Sequence, residues 1–418
     1  MTYIESVRFL YSLGNELKVG AKFGLDRIQT LLAELGHPEQ GQRFIHVAGT
    51  NGKGSTSAMI ASALRNAGFR TGLYTSPHLI EPTERIQIDF HPTSPATFAQ
   101  TFKLVHDAAE RLIDQERIDA HPSYFETVTA MAFVLFGKLC DISVIEVGLG
   151  GRLDATNVIT PELCVITPIA YDHESFLGNT LESIAAEKAG ILKPGVPVVM
   201  ARQNDVAEAV IEDRANRLNC EITRTADAQL SALQVSARNS SFCLNGLPYQ
   251  CRLPGRHQIE NAAAAILASK HLNIPPSAIQ AGIRSAEWPG RLEFVSLDPD
   301  FVLDGAHNPA GAAALAAYIR EFCGNRPVWL VYGAMRDKAI EEVTALLFPL
   351  ADRLILTAPK YPRSLRPEAI LEVMSHPNVV KTATVSEAID LARAAPPEAI
   401  VFFTGSLFLV GEARDLLS

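Results

Sequence analysis

A chain of 418 residues is long for one hydrophobic core, so two domains are expected. With 47% hydrophobic and 20% charged residues and 27 glycines, the composition is that of a soluble α/β enzyme and excludes a disordered, fibrous or membrane protein. A net charge of -9 without a basic run excludes nucleic acid as the main partner and leaves anionic small molecules, bound through local positive charge.

The N-terminus, MTYIESVRFLYSLGNELKVG, has early charges and no apolar stretch long enough for a signal peptide or a membrane span, so a cytoplasmic location is expected. The six cysteines, Cys140, Cys164, Cys220, Cys243, Cys251 and Cys323, contain no CxxC pair. They are expected to form neither disulfides nor zinc sites, which suits a reducing compartment.

Residues 43–49, RFIHVAG, read as a strand, and residues 54–68 as the following helix. The alternation continues through TGLYTS, helices near 97–116 and 124–139, the strands ISVIEVG and LCVITPI, and a helix through ESIAAEKAGI. Strands alternating with helices imply a parallel sheet covered on both faces. Between about 219 and 253 short strands and polar turns read as an antiparallel meander, and two helices follow up to the break at Pro289-Gly290. From Leu292 the alternation restarts with EFVSLD, FVLDGAH, a helix at 309–322, PVWLVYGA, RLILTAP, a helix near 385–394 and AIVFFTG. The expected organisation is an α/β N-terminal domain, 1–289, with a mostly parallel P-loop-type sheet and a small meander, followed by a smaller Rossmann-like α/β domain, 290–418.

Between the first strand and its helix lies Gly49-Thr50-Asn51-Gly52-Lys53-Gly54-Ser55-Thr56. Glycines let the backbone close around phosphate oxygens, the helix N-terminus favours negative charge, and Lys53 can reach the β/γ-phosphates. Ser55 or Thr56 offers a hydroxyl to phosphate or Mg²⁺. The spacing departs from GxxxxGK[ST], because Gly54 separates the lysine from the hydroxyl residue. Glu146 ends the strand ISVIEV, and strand C-termini of doubly wound sheets face the ligand crevice.

The blocks HVAGTNGKGST, SPHL with ERI, EVGLGGRLDATN, YDH with LG, EKAGI and DGAHNP resemble the folylpolyglutamate synthase and dihydrofolate synthase family, part of the wider Mur-type ligases. The resemblance runs from about residue 20 to 410. It implies an ATP-dependent carboxylate–amine ligase that adds L-glutamate to dihydropteroate, to (tetrahydro)folate or to both, through an acyl phosphate, releasing ADP and phosphate. A carboxylate is a poor acyl donor, so such activation is what the chemistry requires.

The resemblance assigns Thr50, Asn51, Gly52, Lys53, Gly54, Ser55, Asn261, Arg291 and Asp304 to ATP, the last three drawn from both domains. It assigns Ser76, Glu146 and His173 to magnesium, although Mg²⁺ prefers oxygen ligands and histidine is unusual around it. Lys188 of EKAGI is implied to be carbamylated and to bridge a second Mg²⁺; Lys53, Lys188 and His307 are the implied catalytic residues. Gly20, Ala21, Lys22 and Phe23, with Tyr124, Phe125, Glu126 and Asp154, are implied for the pterin, and His307 and Ser406 for glutamate. Other readings of these residues stand beside these. Glu146 can be a solvated strand-end carboxylate, Ser406 a helix cap, Tyr124-Phe125-Glu126 core packing and Asp154 an anchor of its own turn. Tyr171 stands before Asp172-His173 where the family commonly has leucine.

A monomer is expected, since two domains can enclose the ligands themselves. Two competing functions are a Mur-type ligase acting on another carboxylate and a P-loop ATPase module that binds without forming a bond. The second leaves DGAHNP unexplained.

Overall fold

The computed structural model describes residues 1–14, 24–336 and 339–418. Packing divides the chain into two units. One comprises Met1–Ile169, Leu181–Ala228 and Asn261–Ile283, the other Ala170–Thr180, Gln229–Glu260 and Arg284–Ser418.

The first unit is built on β1 (Phe44–Ala48), β2 (Thr71–Tyr74), β3 (Ile86–Ile88), β4 (His91–Pro92), β5 (Ile142–Glu146), β6 (Leu163–Ile166), β7 (Val198–Met200) and β8 (Ile222–Arg224). Their order is β4-β3-β2-β5-β1-β6-β7-β8, parallel from β2 to β8, with β3 and β4 added antiparallel at one edge. Every residue of β1, β2, β5 and β6 is buried, as a parallel sheet covered on both faces demands.

The helices that cover it include α1 (Tyr3–Ser12), α2 (Asp26–Glu34), α3 (Lys53–Asn66), α4 (Pro95–Asp114) and α5 (Tyr124–Leu139). Ser94 starts α4 by accepting from the Thr97 N–H, and Pro95 at the first helical position costs no hydrogen bond. Ser123 and Glu126 form a capping box at the start of α5, whose apolar sequence is buried almost all round. Phe98 and Phe102 of α4 and Phe133 and Phe136 of α5 are all fully buried in one apolar cluster, so truncating one of them to alanine costs about 3–5 kcal/mol.

The second unit holds a meander of β9 (Leu230–Val235), β10 (Ser240–Leu244) and β11 (Leu247–Cys251). It also holds a six-stranded sheet made of β12 (Glu293–Leu297), β13 (Asp300–Leu303), β14 (Val328–Tyr332), β15 (Arg353–Leu356), β16 (Val379–Lys381) and β17 (Ile400–Thr404). The order is β12-β13-β17-β14-β15-β16, parallel except for the antiparallel β12–β13 pair.

Both α/β layers match the sequence expectation, with two differences. Residues 222–224 extend the large parallel sheet as β8 instead of opening the meander. The meander, assigned above to residues 1–289, packs with the second unit. Arg238 forms a 3.1 Å ion pair with Asp300 and lies 4.0 Å from the Phe294 ring, and the Tyr318 hydroxyl donates to Ala237 O at 2.7 Å. All six cysteines are free thiols. Among the described residues no helix is long and apolar enough to cross a membrane.

Candidate active site

In the first unit, three adjacent strand ends bring candidate residues together. Strands β2, β5 and β1 lie side by side and parallel, with Tyr74 opposite Ile145 and Val47 opposite Glu146. Their C-termini therefore present Ser76, Glu146 and the glycine loop along one edge. The loop is held from behind: Thr50 N and Asn51 N donate to Pro168 O at 3.0 and 3.2 Å. Gly52 adopts φ +85° and starts α3 with no side-chain cap, the kind of helix start that accepts an anion. Lys53, the first residue of α3, donates from Nζ to Thr50 O at 3.1 Å. Thr56 Oγ1 is buried and makes no hydrogen bond, so a polar partner for it would come from a ligand.

Asn261 lies directly against this loop, since a Cβ on Gly52 would fall 2.2 Å from Asn261 Oδ1. Lys188, only 5% exposed, donates from Nζ to Gly49 O at 2.8 Å. Its burial against the loop is set by the tertiary fold. Glu146 is 4% exposed and accepts from the Ser76 N–H at 3.1 Å, while Ser76 Oγ is buried without a hydrogen-bond partner. A buried carboxylate beside an orphaned hydroxyl is an all-oxygen donor pair of the kind Mg²⁺ selects.

Two family models match the sequence: "Mur ligase middle domain" over residues 47–269 and "Mur ligase, glutamate ligase domain" over residues 290–407. The dihydrofolate synthase/folylpolyglutamate synthase of Bacillus subtilis is 36% identical, covering 96% of each chain. The folylpolyglutamate synthase of Lacticaseibacillus casei is 35% identical, covering 100% of this chain and 99% of that one. Among solved structures, Mycobacterium tuberculosis folylpolyglutamate synthase complexed with ADP and AMPPCP superposes with a TM-score of 0.91 at 32% identity, covering 100% of this chain and 99% of that one. E. coli FolC in complex with DHPP and ADP gives 0.89 at 30% identity, with coverage of 100% and 98%. The chain belongs to the folylpolyglutamate synthase/dihydrofolate synthase family.

Of the residues that the family resemblance implies for the pterin, Tyr124, Phe125, Glu126 and Asp154 have defined structural partners. Gly20, Ala21, Lys22 and Phe23 lie outside the described residues. Phe125 packs against Gly148, where a Cβ would sit 2.5 Å from the ring, so α5 and the GLGG segment share one wall. Tyr124 stacks on Tyr11 at 5.8 Å and receives the Arg85 guanidinium at 4.9 Å. Glu126 Oε2 accepts from Ser123 N at 2.7 Å and faces Arg27 Nη1 at 3.5 Å. Asp154 anchors its own turn thoroughly: Oδ2 accepts from Gly148 N and Leu149 N at 3.0 and 2.9 Å, and Oδ1 from Thr156 N at 3.0 Å. Its carboxylate therefore sets the shape of the loop after β5.

In the second unit of this family member, Asp304 is buried and staples the loop after β13, accepting from Leu292 N and Ala306 N, both at 3.0 Å. Burial raises its pKa, opposed by the nearby Arg291 and by those two N–H donors. The Arg291 guanidinium lies against Gly305 of the same loop. Ser406 caps the helix Leu407–Leu417, its Oγ accepting from Leu409 N at 3.1 Å. His173 has φ 54° and donates from its backbone N–H to Asp172 Oδ1 at 2.9 Å.

Asp172 was not singled out from the sequence, yet it joins two motifs. Its Oδ2 accepts from Asn308 Nδ2 at 3.0 Å and lies 3.6 Å from His307 Nε2, while His307 Nδ1–H donates to Gly305 O at 2.7 Å. The cap of the helix Pro309–Phe322 is Asn308, through Gly311 N at 2.8 Å, and not His307. The juxtaposition of YDH with DGAHNP was the only available signal, and only the fold brings them together.

Proposed function

We propose that this chain ligates L-glutamate to dihydropteroate, to a reduced folate or to both, at the expense of ATP. The observation that carries the reading is the alignment of the phosphate loop, Glu146 and Ser76 on neighbouring strand ends, in a chain matched over its full length by folate ligases.

The loop's backbone and Lys53 hold the triphosphate and neutralise its charge, with Thr50, Asn51, Gly52, Gly54 and Ser55 as loop contacts. Asn261, pressed against Gly52, is assigned to the same nucleotide, together with Arg291 and Asp304. Mg²⁺, when bound, would supply charge neutralisation at the phosphoryl oxygens; Ser76 Oγ, Glu146 and His173 would hold one ion and a carbamate on Lys188 a second. A carbamate nitrogen keeps one N–H, so the bond to Gly49 O is compatible with the modification.

The acceptor carboxylate attacks the γ-phosphorus, forming an acyl phosphate and releasing ADP. The amine of glutamate then adds to the acyl carbon, the nitrogen loses its proton, and the C–O bond to phosphate breaks. His307, oriented by Gly305 O and Asp172, and Ser406 are assigned to glutamate. The pterin falls to Tyr124, Phe125, Glu126 and the turn held by Asp154, with Gly20 to Phe23. Residues 1–289 supply the phosphate loop and the pterin residues, and residues 290–418 supply the glutamate residues with Arg291 and Asp304 for ATP, in a cytoplasmic monomer.

The test is an assay with ATP, Mg²⁺, glutamate and either dihydropteroate or tetrahydrofolate. Phosphate release that requires both acceptor and amino acid, with one amide formed per phosphate, supports the reading. Release without amide contradicts it. Comparing the two acceptors decides between one activity and two.

A further inference from the structure

We propose that His106, Glu110 and His121 form a metal site for a divalent first-row transition ion of the zinc type, built from α4 and the loop ahead of α5 and not from the strand ends that carry the phosphate loop. The ligand atoms, His106 Nδ1, His121 Nε2 and a carboxylate oxygen of Glu110, all lie within 4.8 Å of one another.

The geometry is close to what such an ion requires. His106 Nδ1 and His121 Nε2 are 3.2 Å apart. Two nitrogens on a tetrahedral ion at the usual Zn–N length of about 2.0–2.1 Å are separated by about 3.3 Å. Glu110 stands one helical turn along from His106, its Oε1 3.9 Å from His106 Nδ1, and its side chain is 50% exposed and able to swing inward. Water would complete the fourth position.

Independent features prepare the two imidazoles. His121 Nδ1 lies 2.9 Å from Pro122 O, and a carbonyl can only accept, so the proton sits on Nδ1 and the lone pair on Nε2 points toward His106. This is the supporting bond that fixes the tautomer of metal-bound histidines. Phe9 of α1 packs edge-on against both rings at 4.6 and 5.1 Å, and Phe102 stacks on His106 at 5.6 Å, so neither ring is loosely placed.

The donor set selects the ion class. Two imidazole nitrogens and one carboxylate suit zinc-type ions, whereas Mg²⁺ and Ca²⁺ require more oxygens than the site offers. Occupancy would clasp the loop through His121 to α4, immediately before Tyr124, and so fix where α5 begins. The bland alternative is a neutral pair in which His106 Nδ1–H donates to His121 Nε2.

The full-length protein, stripped with chelator, is titrated with Zn²⁺ by calorimetry in a large excess of Mg²⁺, and separately with Co²⁺ by visible absorption. One equivalent of Zn²⁺ and the intense visible bands of tetrahedral Co²⁺ are expected. His121→Asn keeps a donor for Pro122 O and removes the ligand nitrogen; His106→Gln likewise removes Nδ1. Each should weaken Zn²⁺ binding by more than about tenfold and abolish the Co²⁺ bands. Glu110→Gln, at a side chain 50% exposed, should weaken binding in the same direction without affecting folding. Absence of stoichiometric uptake, or identical uptake by the wild type and all three variants, overturns the proposal in favour of the hydrogen-bonded pair.

Discussion

Lys188 Nζ donates a 2.8 Å hydrogen bond to the carbonyl oxygen of Gly49, the first residue of the phosphate loop, from a position only 5% exposed. A buried amine in that place either keeps its cationic charge beside the nucleotide or exchanges it for a carbamate. Lys188→Ala is expected to lower kcat by about 10²-fold or more while leaving ATP binding largely intact, because charge positioning matters most in the transition state. Steady-state kinetics checks the rate, and ¹³C NMR in labelled hydrogen carbonate checks the carbamate. A variant with wild-type kcat removes Lys188 from the chemistry.

Ser76→Ala separates a metal ligand from a packing residue. Ser76 Oγ is buried with no hydrogen-bond partner, so deleting it should leave stability unchanged or raise it by about 1 kcal/mol. The Mg²⁺ concentration for half-maximal activity should rise severalfold. Thermal melts and Mg²⁺ titrations read the two effects separately; a lower Tm with an unchanged Mg²⁺ requirement goes against the ligand role.

Gly52→Ala places a methyl group 2.2 Å from Asn261 Oδ1 at a backbone φ of +85°. Strain and clash together should cost about 1–3 kcal/mol of stability and weaken nucleotide binding. Asn261→Ala in the same chain should recover the part due to the clash. A double-mutant cycle in urea melts, with an interaction energy near zero, would show that the two residues do not meet.

Two buried histidines make stability fall in acid. Burial, with a smaller contribution from Lys193, pushes the pKa of His46 down to about 3, and burial with Arg291 pushes His257 down to about 4. The unfolded chain binds these protons near pH 6.5 and the folded chain does not. The stabilisation is therefore complete above about pH 6.5 and is lost as pH falls toward 4 and 3. Each histidine should account for a loss of about 2–3 kcal/mol between about pH 6.5 and 4.5. Urea melts across that range should show the slope, and His46→Gln should flatten it.

Contiguous chemistry was legible in the sequence and long-range bonding was not. The loop from Gly49 to Thr56 announces itself because one stretch of chain supplies the turn, the cation and the helix start. The fully buried strands β1, β5 and β6 were equally readable as short β-branched runs. Strand β8, Ile222–Arg224, is only three residues long and half-buried, and reads as part of the neighbouring meander. Helices α1 and α2 went unread as well. Residue type does not say whom a side chain will bond: Asp154 spends both oxygens on its own turn, Glu126 serves the start of α5, and Asp172 meets Asn308 across 136 positions of sequence.

Activation of the acceptor's own carboxylate by ATP is measured directly with an isotope. With the acceptor carboxylate labelled with ¹⁸O, an acyl phosphate must pass one labelled oxygen to phosphate for every amide formed. Mass analysis of the released phosphate should find that stoichiometry in wild-type protein and no turnover in Lys53→Ala. Amide formation accompanied by unlabelled phosphate would show that no acyl phosphate forms.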